Sequence, residues 1–169
     1  MDCGFYDEAI EGEGHHKTVV SNLNSTGSWL NVNNGLSVQY SSNGTKLTNT
    51  DSTATNRHFF YHDTVITSTK VGNYNSILNN SAIEFELTEL TGTIDVYLTD
   101  GTNNRGVGLT STGSYKIVLD GEIIHLIKDG VEQSLTGQIA MTGANVRFSF
   151  LLNTSNESMT FRNFKVYPI

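Results

Sequence analysis

Between Ser81 and the C-terminus, large apolar side chains recur at every second position, in short runs. In Ala82-Ile83-Glu84-Phe85-Glu86-Leu87 they alternate with charged or small residues. Ile94, Val96 and Leu98 alternate with Thr93, Asp95, Tyr97 and Thr99, and the same beat runs through residues 115–120, 146–153 and 158–161. A period of two buries one face and wets the other, as in antiparallel strands packed on one side. Asp100-Gly101, Asp120-Gly121, Asp129-Gly130 and Thr142-Gly143 punctuate the runs at the spacing of an all-β chain. No stretch offers the period of a helix.

Length and composition agree with this reading. A chain of 169 residues suits one domain, 1–169, large enough for a two-sheet core without disulfides or metal staples. Roughly a third of it is Asn, Ser or Thr, residues that strands and turns absorb readily. The one proline, Pro168, lies beside the C-terminus, so it breaks no interior ladder. Charged residues make up 16% and the formal net charge is −7. Such a surface argues against nucleic acid, whose phosphates need a basic patch, and against an anionic membrane. A lone cysteine, Cys3, excludes an internal disulfide. No signal peptide is visible and no apolar run reaches transmembrane length. These features fit either a protein assembled inside the cell or a domain excised from a longer chain with Met1 added for expression, and the second is the expectation here. The Asn-Ser-Thr richness points to a virion part or an extracellular surface protein.

The strands expected from pattern and turn signals fall at residues 2–8, near Trp29-Leu30, at 36–40, at 46–48 after the Ser42-Asn43-Gly44 turn, and at 57–66. The later ones are 82–90, 93–99, 105–110, 114–119, 122–128, 138–142, 146–152 and 158–167. Residues 49–57 and 67–80 read as polar loops. So many strands in a chain of this size suit two packed sheets of jelly-roll type. Phe85, Val96, Leu98, Ile117, Phe148, Phe150, Phe161 and Val166 are the expected core. Phe5 and Phe164 are expected on neighbouring edge strands, bringing the termini together.

Residues 115–131, Tyr-Lys-Ile-Val-Leu-Asp-Gly-Glu-Ile-Ile-His-Leu-Ile-Lys-Asp-Gly-Val, resemble the paired hairpins of concanavalin-A-like lectin and glucanase sandwiches. The closing Met159-Thr160-Phe161-Arg162-Asn163-Phe164-Lys165-Val166-Tyr167 resembles their final strand, and Phe5-Tyr6-Asp7 is similar to their first. The resemblance covers most of the chain as a pattern of strands and turns. It implies a two-sheet antiparallel β-sandwich, a jelly roll of concanavalin-A-like form. Modules of this style bind carbohydrate in phage tail and baseplate proteins and in microbial adhesins. It brings no catalytic motif.

Glu84 and Glu86 lie two apart in one strand and so share its non-core face. Glycanases of this fold are similar in placing carboxylates at alternate positions of one strand. Their Glu-x-Asp-x-x-Glu and Glu-x-Asp-x-Glu patterns are not met here, because Glu84-Phe85-Glu86-Leu87-Thr88-Glu89 lacks the aspartate and puts Glu89 on the wrong face. A sugar platform is the other candidate, since rings stack on sugar C–H faces and polar side chains complete the hydroxyl hydrogen bonds. Asp95 and Tyr97 share one exposed strand face and Arg147 lies on another. With Glu84 and Glu86 they would line a groove if their strands were neighbours, with Trp29 or Tyr74 at its rim.

Weaker signals carry less. His15-His16 cannot easily both face one ion, and the Asp100-Gly101-Thr102-Asn103-Asn104 loop is explained as a hairpin turn, so no metal or other cofactor is expected. No nucleophile elbow or glycine-rich phosphate loop is present. The reading is a non-catalytic carbohydrate-binding module for cell-wall or cell-surface polysaccharide. It would be one copy in a larger multi-copy assembly, on a phage tail or at a cell surface. A glycoside hydrolase or lyase using Glu84 and Glu86, or a structural spacer of a virion or stalk, are the alternatives.

Overall fold

The computed structural model describes residues 29–32, 35–52, 58–62, 81–120, 123–135 and 146–168. Twelve strands run through them: β1 (Trp29–Val32), β2 (Leu36–Ser41), β3 (Gly44–Asn49), β4 (His58–His62), β5 (Ser81–Thr91) and β6 (Ile94–Thr99), then β7 (Asn104–Leu109), β8 (Gly113–Leu119), β9 (Ile124–Lys128), β10 (Val131–Gln133), β11 (Arg147–Leu152) and β12 (Ser158–Pro168). They make a five-stranded sheet, β1-β4-β11-β6-β7, and a seven-stranded sheet, β10-β9-β8-β5-β12-β3-β2. Every pairing is antiparallel. No helix occurs among the described residues. The β-sandwich expected from the alternation is what forms. The strands expected at 2–8 and 138–142 lie outside the described residues, as do Phe5, Tyr74 and His15-His16.

Short β10 escapes a sequence reading because Val131-Glu132-Gln133 is too brief to show a period. Its partner turn supplies it. Asp129 and Gly130 both take positive φ (50° and 81°), the requirement of a two-residue primed hairpin that folds β10 back on β9.

Facing sheets supply the core from their alternate residues. Ile83, Phe85 and Leu87 of β5, with Tyr115, Ile117 and Leu119 of β8, meet Ile94, Val96 and Leu98 of β6, all of them buried. Phe150 stands edge-on to Phe85 (5.2 Å, 87°) and to Phe148 (5.0 Å, 86°), the aromatic arrangement that ring quadrupoles favour. Every expected core residue is buried except Val166, whose side chain lies outside the described residues. Phe164 is also buried, but β12 lies between β5 and β3 and is not an edge strand, which corrects the expected terminal edge pairing. A strand with Phe161 and Phe164 on one face and Arg162 and Lys165 beside them gains more with a neighbour on each side than at an edge.

The 153–157 turn clamps the sandwich at one end. Glu157, 7% exposed, accepts the backbone N–H groups of Asn153 (2.8 Å) and Thr154 (2.9 Å) on Oε2. Its own carbonyl accepts from the N–H of buried Asn49, whose Nδ2 donates to the Thr154 carbonyl. Glu157→Ala strands two donors in a closed turn and is expected to cost about 3 kcal/mol in urea denaturation. A loss below about 1 kcal/mol would show that water replaces the carboxylate there.

Candidate functional site

Strand β5 sits near the middle of the seven-stranded sheet, with β8 on one side and β12 on the other. Its inward residues fill the core, so Glu84 and Glu86 project from the outer face, as their spacing requires. The wrong-face expectation for Glu89 is corrected by a bulge. Thr160 pairs with Glu89 and Phe161 with Leu87, leaving Thr88 as an extra residue that reverses the alternation. Leu90 then packs on the core and Glu89 returns to the outer face beside Glu84 and Glu86.

A second irregularity, between Arg162 and Lys165, shapes the opposing strand. Asn163 takes a left-handed φ of 55°, and Arg162 and Asn163 are both exposed while Phe164 stays in the core. The resulting registers alternate acid and base. One row runs Glu132, Ile127, Lys116, Glu84, Lys165 across the sheet, the next Ser114, Glu86, Arg162, and a third Glu89, Thr160, Lys46.

These charges engage one another. Arg162 grips Glu86 with two parallel hydrogen bonds, Nε to Oε2 at 2.8 Å and Nη2 to Oε1 at 2.7 Å, and Asn163 Nδ2 adds a third to Oε2 at 3.2 Å. The Arg162 hydrogen bonds hold the Glu86 carboxyl below the usual carboxylate range, with Arg162's charge and Asn163 adding to them. The Thr160 hydroxyl donates to Glu89 at 2.7 Å and, with Lys46 at 3.5 Å, lowers that carboxyl too. The Tyr167 hydroxyl donates to Glu84, whose Oε1 lies 3.8 Å from Lys116 Nζ. Burial first, and then the Glu84 bond, push the Tyr167 phenol up. Lys116 Nζ also stands 5.6 Å from the centre of the Tyr167 ring, within cation–π reach.

Among these side chains lies an open cleft of about 350 Å³, lined by Glu84, Glu86, Ser114, Lys116, Asn163 and Lys165, with Ile127 as an apolar wall.

Beyond Ile127 the face ends in a charged trio. His125 Nδ1 lies 2.6 Å from Glu132 and Nε2 2.9 Å from Asp120. Hydrogen bonds to Glu132 and then Asp120 raise the imidazole pKa above its ordinary 6.5. A raised folded-state value stabilises most below the unfolded pKa of about 6.5, and the benefit fades as pH rises through the folded value. NMR titration should find His125 titrating above 6.5, with the melting temperature drifting down through that transition. A midpoint at or below 6.5 would contradict the doubly bonded imidazolium.

The groove expected to join Glu84, Glu86, Asp95, Tyr97 and Arg147 does not form. Asp95 and Tyr97 lie on β6 and Arg147 on β11, both in the five-stranded sheet, whose outer face is on the opposite side of the sandwich. The expected groove needs β5 and β6 to be neighbours, but Gly92-Thr93 takes the chain from one sheet to the other. Gly92 has φ 83°, and a Cβ there would stand 2.8 Å from Glu157 Cγ, so the crossing needs glycine both for its dihedral and for space. Asp95 and Tyr97 are partly buried, with Gly108 and Gly106 of β7 opposite them in the ladder. Ser149 Oγ donates to the Tyr97 carbonyl, and Asn153 Nδ2 lies 3.4 Å from Asp95. Trp29 is on edge strand β1, also in the five-stranded sheet, and Tyr74 lies outside the described residues. The Asp100 loop behaves as a turn: Asp100 Oδ1 accepts from the Thr102 and Asn103 N–H groups.

Lys116, Arg162, Asn163, Lys165 and Tyr167 line or flank the candidate site and were not singled out by the sequence. Lys116 was accessible to it, since it alternates with Tyr115 and Ile117, but nothing in sequence announces that β8 and β12 flank β5.

No family model and no curated protein matches the sequence. Solved structures share its fold. A mutant of a carbohydrate binding module family 29 aligns with a TM-score of 0.51 at 9% identity, covering 90% of this chain and 91% of that one. Crh5 transglycosylase in complex with NAG aligns with a TM-score of 0.58 at 10% identity, covering 90% and 83%. The apo Crh5 transglycosylase gives 0.55 at 9% identity, covering 92% and 84%. At such identities the likeness is one of fold. The chain is thus a jelly-roll β-sandwich, an architecture it shares with a carbohydrate-binding module and with a transglycosylase.

Proposed function

We propose that this chain is a carbohydrate-binding module that holds a cell-surface or cell-wall saccharide in the outer cleft of the seven-stranded sheet without cleaving it. The observation that carries this reading is the engagement of Glu86. Glycoside hydrolysis needs one carboxyl protonated near neutral pH and a second free to attack or to activate water. Glu86 is instead held ionised by a bidentate arginine and an asparagine. A carboxylate so fixed is a good rigid acceptor and a poor general acid. Structural likeness to a family 29 carbohydrate binding module is consistent with the binding role.

One observation favours the hydrolase or transglycosylase reading: the bulge that brings Glu84, Glu86 and Glu89 onto one face of a fold shared with a transglycosylase. Product analysis separates the two. The unaltered protein is expected to bind polysaccharide and release no shortened chains. Chain shortening that Glu86→Gln abolishes, with binding retained, would make this an enzyme. A panel in which no saccharide raises the melting temperature or binds would favour a structural spacer.

A single open cleft with few ring contacts is expected to bind weakly, with Kd about 0.1–1 mM. The adhesive setting we infer, many copies on a phage tail or a cell surface, would convert such contacts into firm attachment by avidity. The low charge and Asn-Ser-Thr richness of the chain support that setting.

A further inference from the structure

The cleft's side chains differ in what they leave uncommitted. Both carboxylates are engaged by protein donors: Glu86 by Arg162 and Asn163, Glu84 by Tyr167 with Lys116 nearby. Lys165 lines the same cleft and pairs directly with Glu84 in the β12–β5 ladder, yet no hydrogen bond or ion pair among the described residues reaches its ammonium. Ser114, across the cleft on β8, has its backbone N–H on Asp129, and no hydrogen bond among the described residues engages its hydroxyl. The local charge also departs from that of the chain. Glu84 and Glu86 balance Lys116 and Lys165 in the lining, and Arg162, bonded to Glu86 from beside it, adds one positive charge on a protein of formal net charge −7.

A neutral sugar's hydroxyl can accept from an ammonium, but only as a charge–dipole hydrogen bond. A carboxylate only accepts, and a hydrogen bond between charged groups is the stronger kind. We propose that the cleft takes an acidic saccharide, with the carboxylate of a uronic acid residue seated on Lys165 Nζ and the Ser114 hydroxyl. The inference rests on the saccharide reading above and names the ligand class for that same site. Repulsion from the acidic remainder of the chain does not prevent this, because charges beyond about 8 Å are largely screened at physiological salt.

Affinity electrophoresis through gels containing polygalacturonate or alginate, compared with gels containing neutral mannan or glucan, tests it. The polyuronates are expected to retard the intact protein more than the neutral polymers do. Lys165→Gln is expected to weaken polyuronate binding about tenfold and Lys165→Arg to retain it, since a charged hydrogen bond is at stake. Lys165 has no partner to strand among the described residues, and unchanged melting temperatures would verify that both variants fold. Neutral polymers bound as tightly as polyuronates, or full polyuronate binding by Lys165→Gln, would overturn the acidic-ligand assignment and leave the saccharide reading standing. Retardation by none of the polymers would overturn both.

Discussion

Phe150→Ala is expected to destabilise the fold by about 4 kcal/mol, the scale for deleting a buried phenylalanine. Phe150 is fully buried on β11, and its ring meets Phe85 and Phe161 of the opposite sheet and Phe148 of its own strand at centroid distances of 5.2, 4.7 and 5.0 Å. Alanine would remove the ring that joins the two inner faces and leave a cavity that rigid strands cannot collapse to fill. Phe150→Leu retains much of the volume and should lose roughly half as much. Urea denaturation measures both; an alanine variant within about 1 kcal/mol of the parent would mean that the sheets do not pack through this ring.

The second large effect is expected at Gly44, where β3 leaves its hairpin. Its φ is 126°, and a Cβ there would stand 2.3 Å from the Phe161 carbonyl oxygen and 3.1 Å from Arg162 Cβ. The obstacle is backbone in the middle of a sheet, so Gly44→Ala must lift the β2–β3 hairpin off β12. Strain and lost ladder bonds together should cost about 3 kcal/mol. The change should also disturb Arg162 and so loosen its grip on Glu86. If the alanine variant melts with the parent, β3 does not lie against β12 as described.

The fold was legible because its information is local. Alternation in residues 82–87, 94–99 and 115–119 marks inward and outward positions without reference to any partner strand, and Asp-Gly pairs mark the reversals. The candidate site was only half legible. Glu84 and Glu86 share a face by spacing alone. Their companions depend on which strands flank β5, a property of long-range packing. The expected groove needed β5 and β6 side by side, but Thr91-Gly92-Thr93 crosses between sheets, so Asp95 and Tyr97, next along the chain, end on the far side of the molecule. Bulges were equally hidden. Thr88 and Asn163 look ordinary in sequence, yet each changes which neighbours face outward, and between them they bring Glu89, Arg162 and Asn163 onto the charged face.

Placement of the binding site on the β5–β12 face is tested by a map of backbone amide shifts during titration with a polysaccharide fragment that the protein binds. Perturbations are expected to centre on Glu84, Glu86, Ser114, Lys116, Asn163 and Lys165, with Tyr97→Ala binding as the parent does and no cleavage of the fragment. Perturbations confined to Asp95, Tyr97 and their neighbours on the five-stranded sheet, with the β5–β12 face unmoved, would contradict that placement.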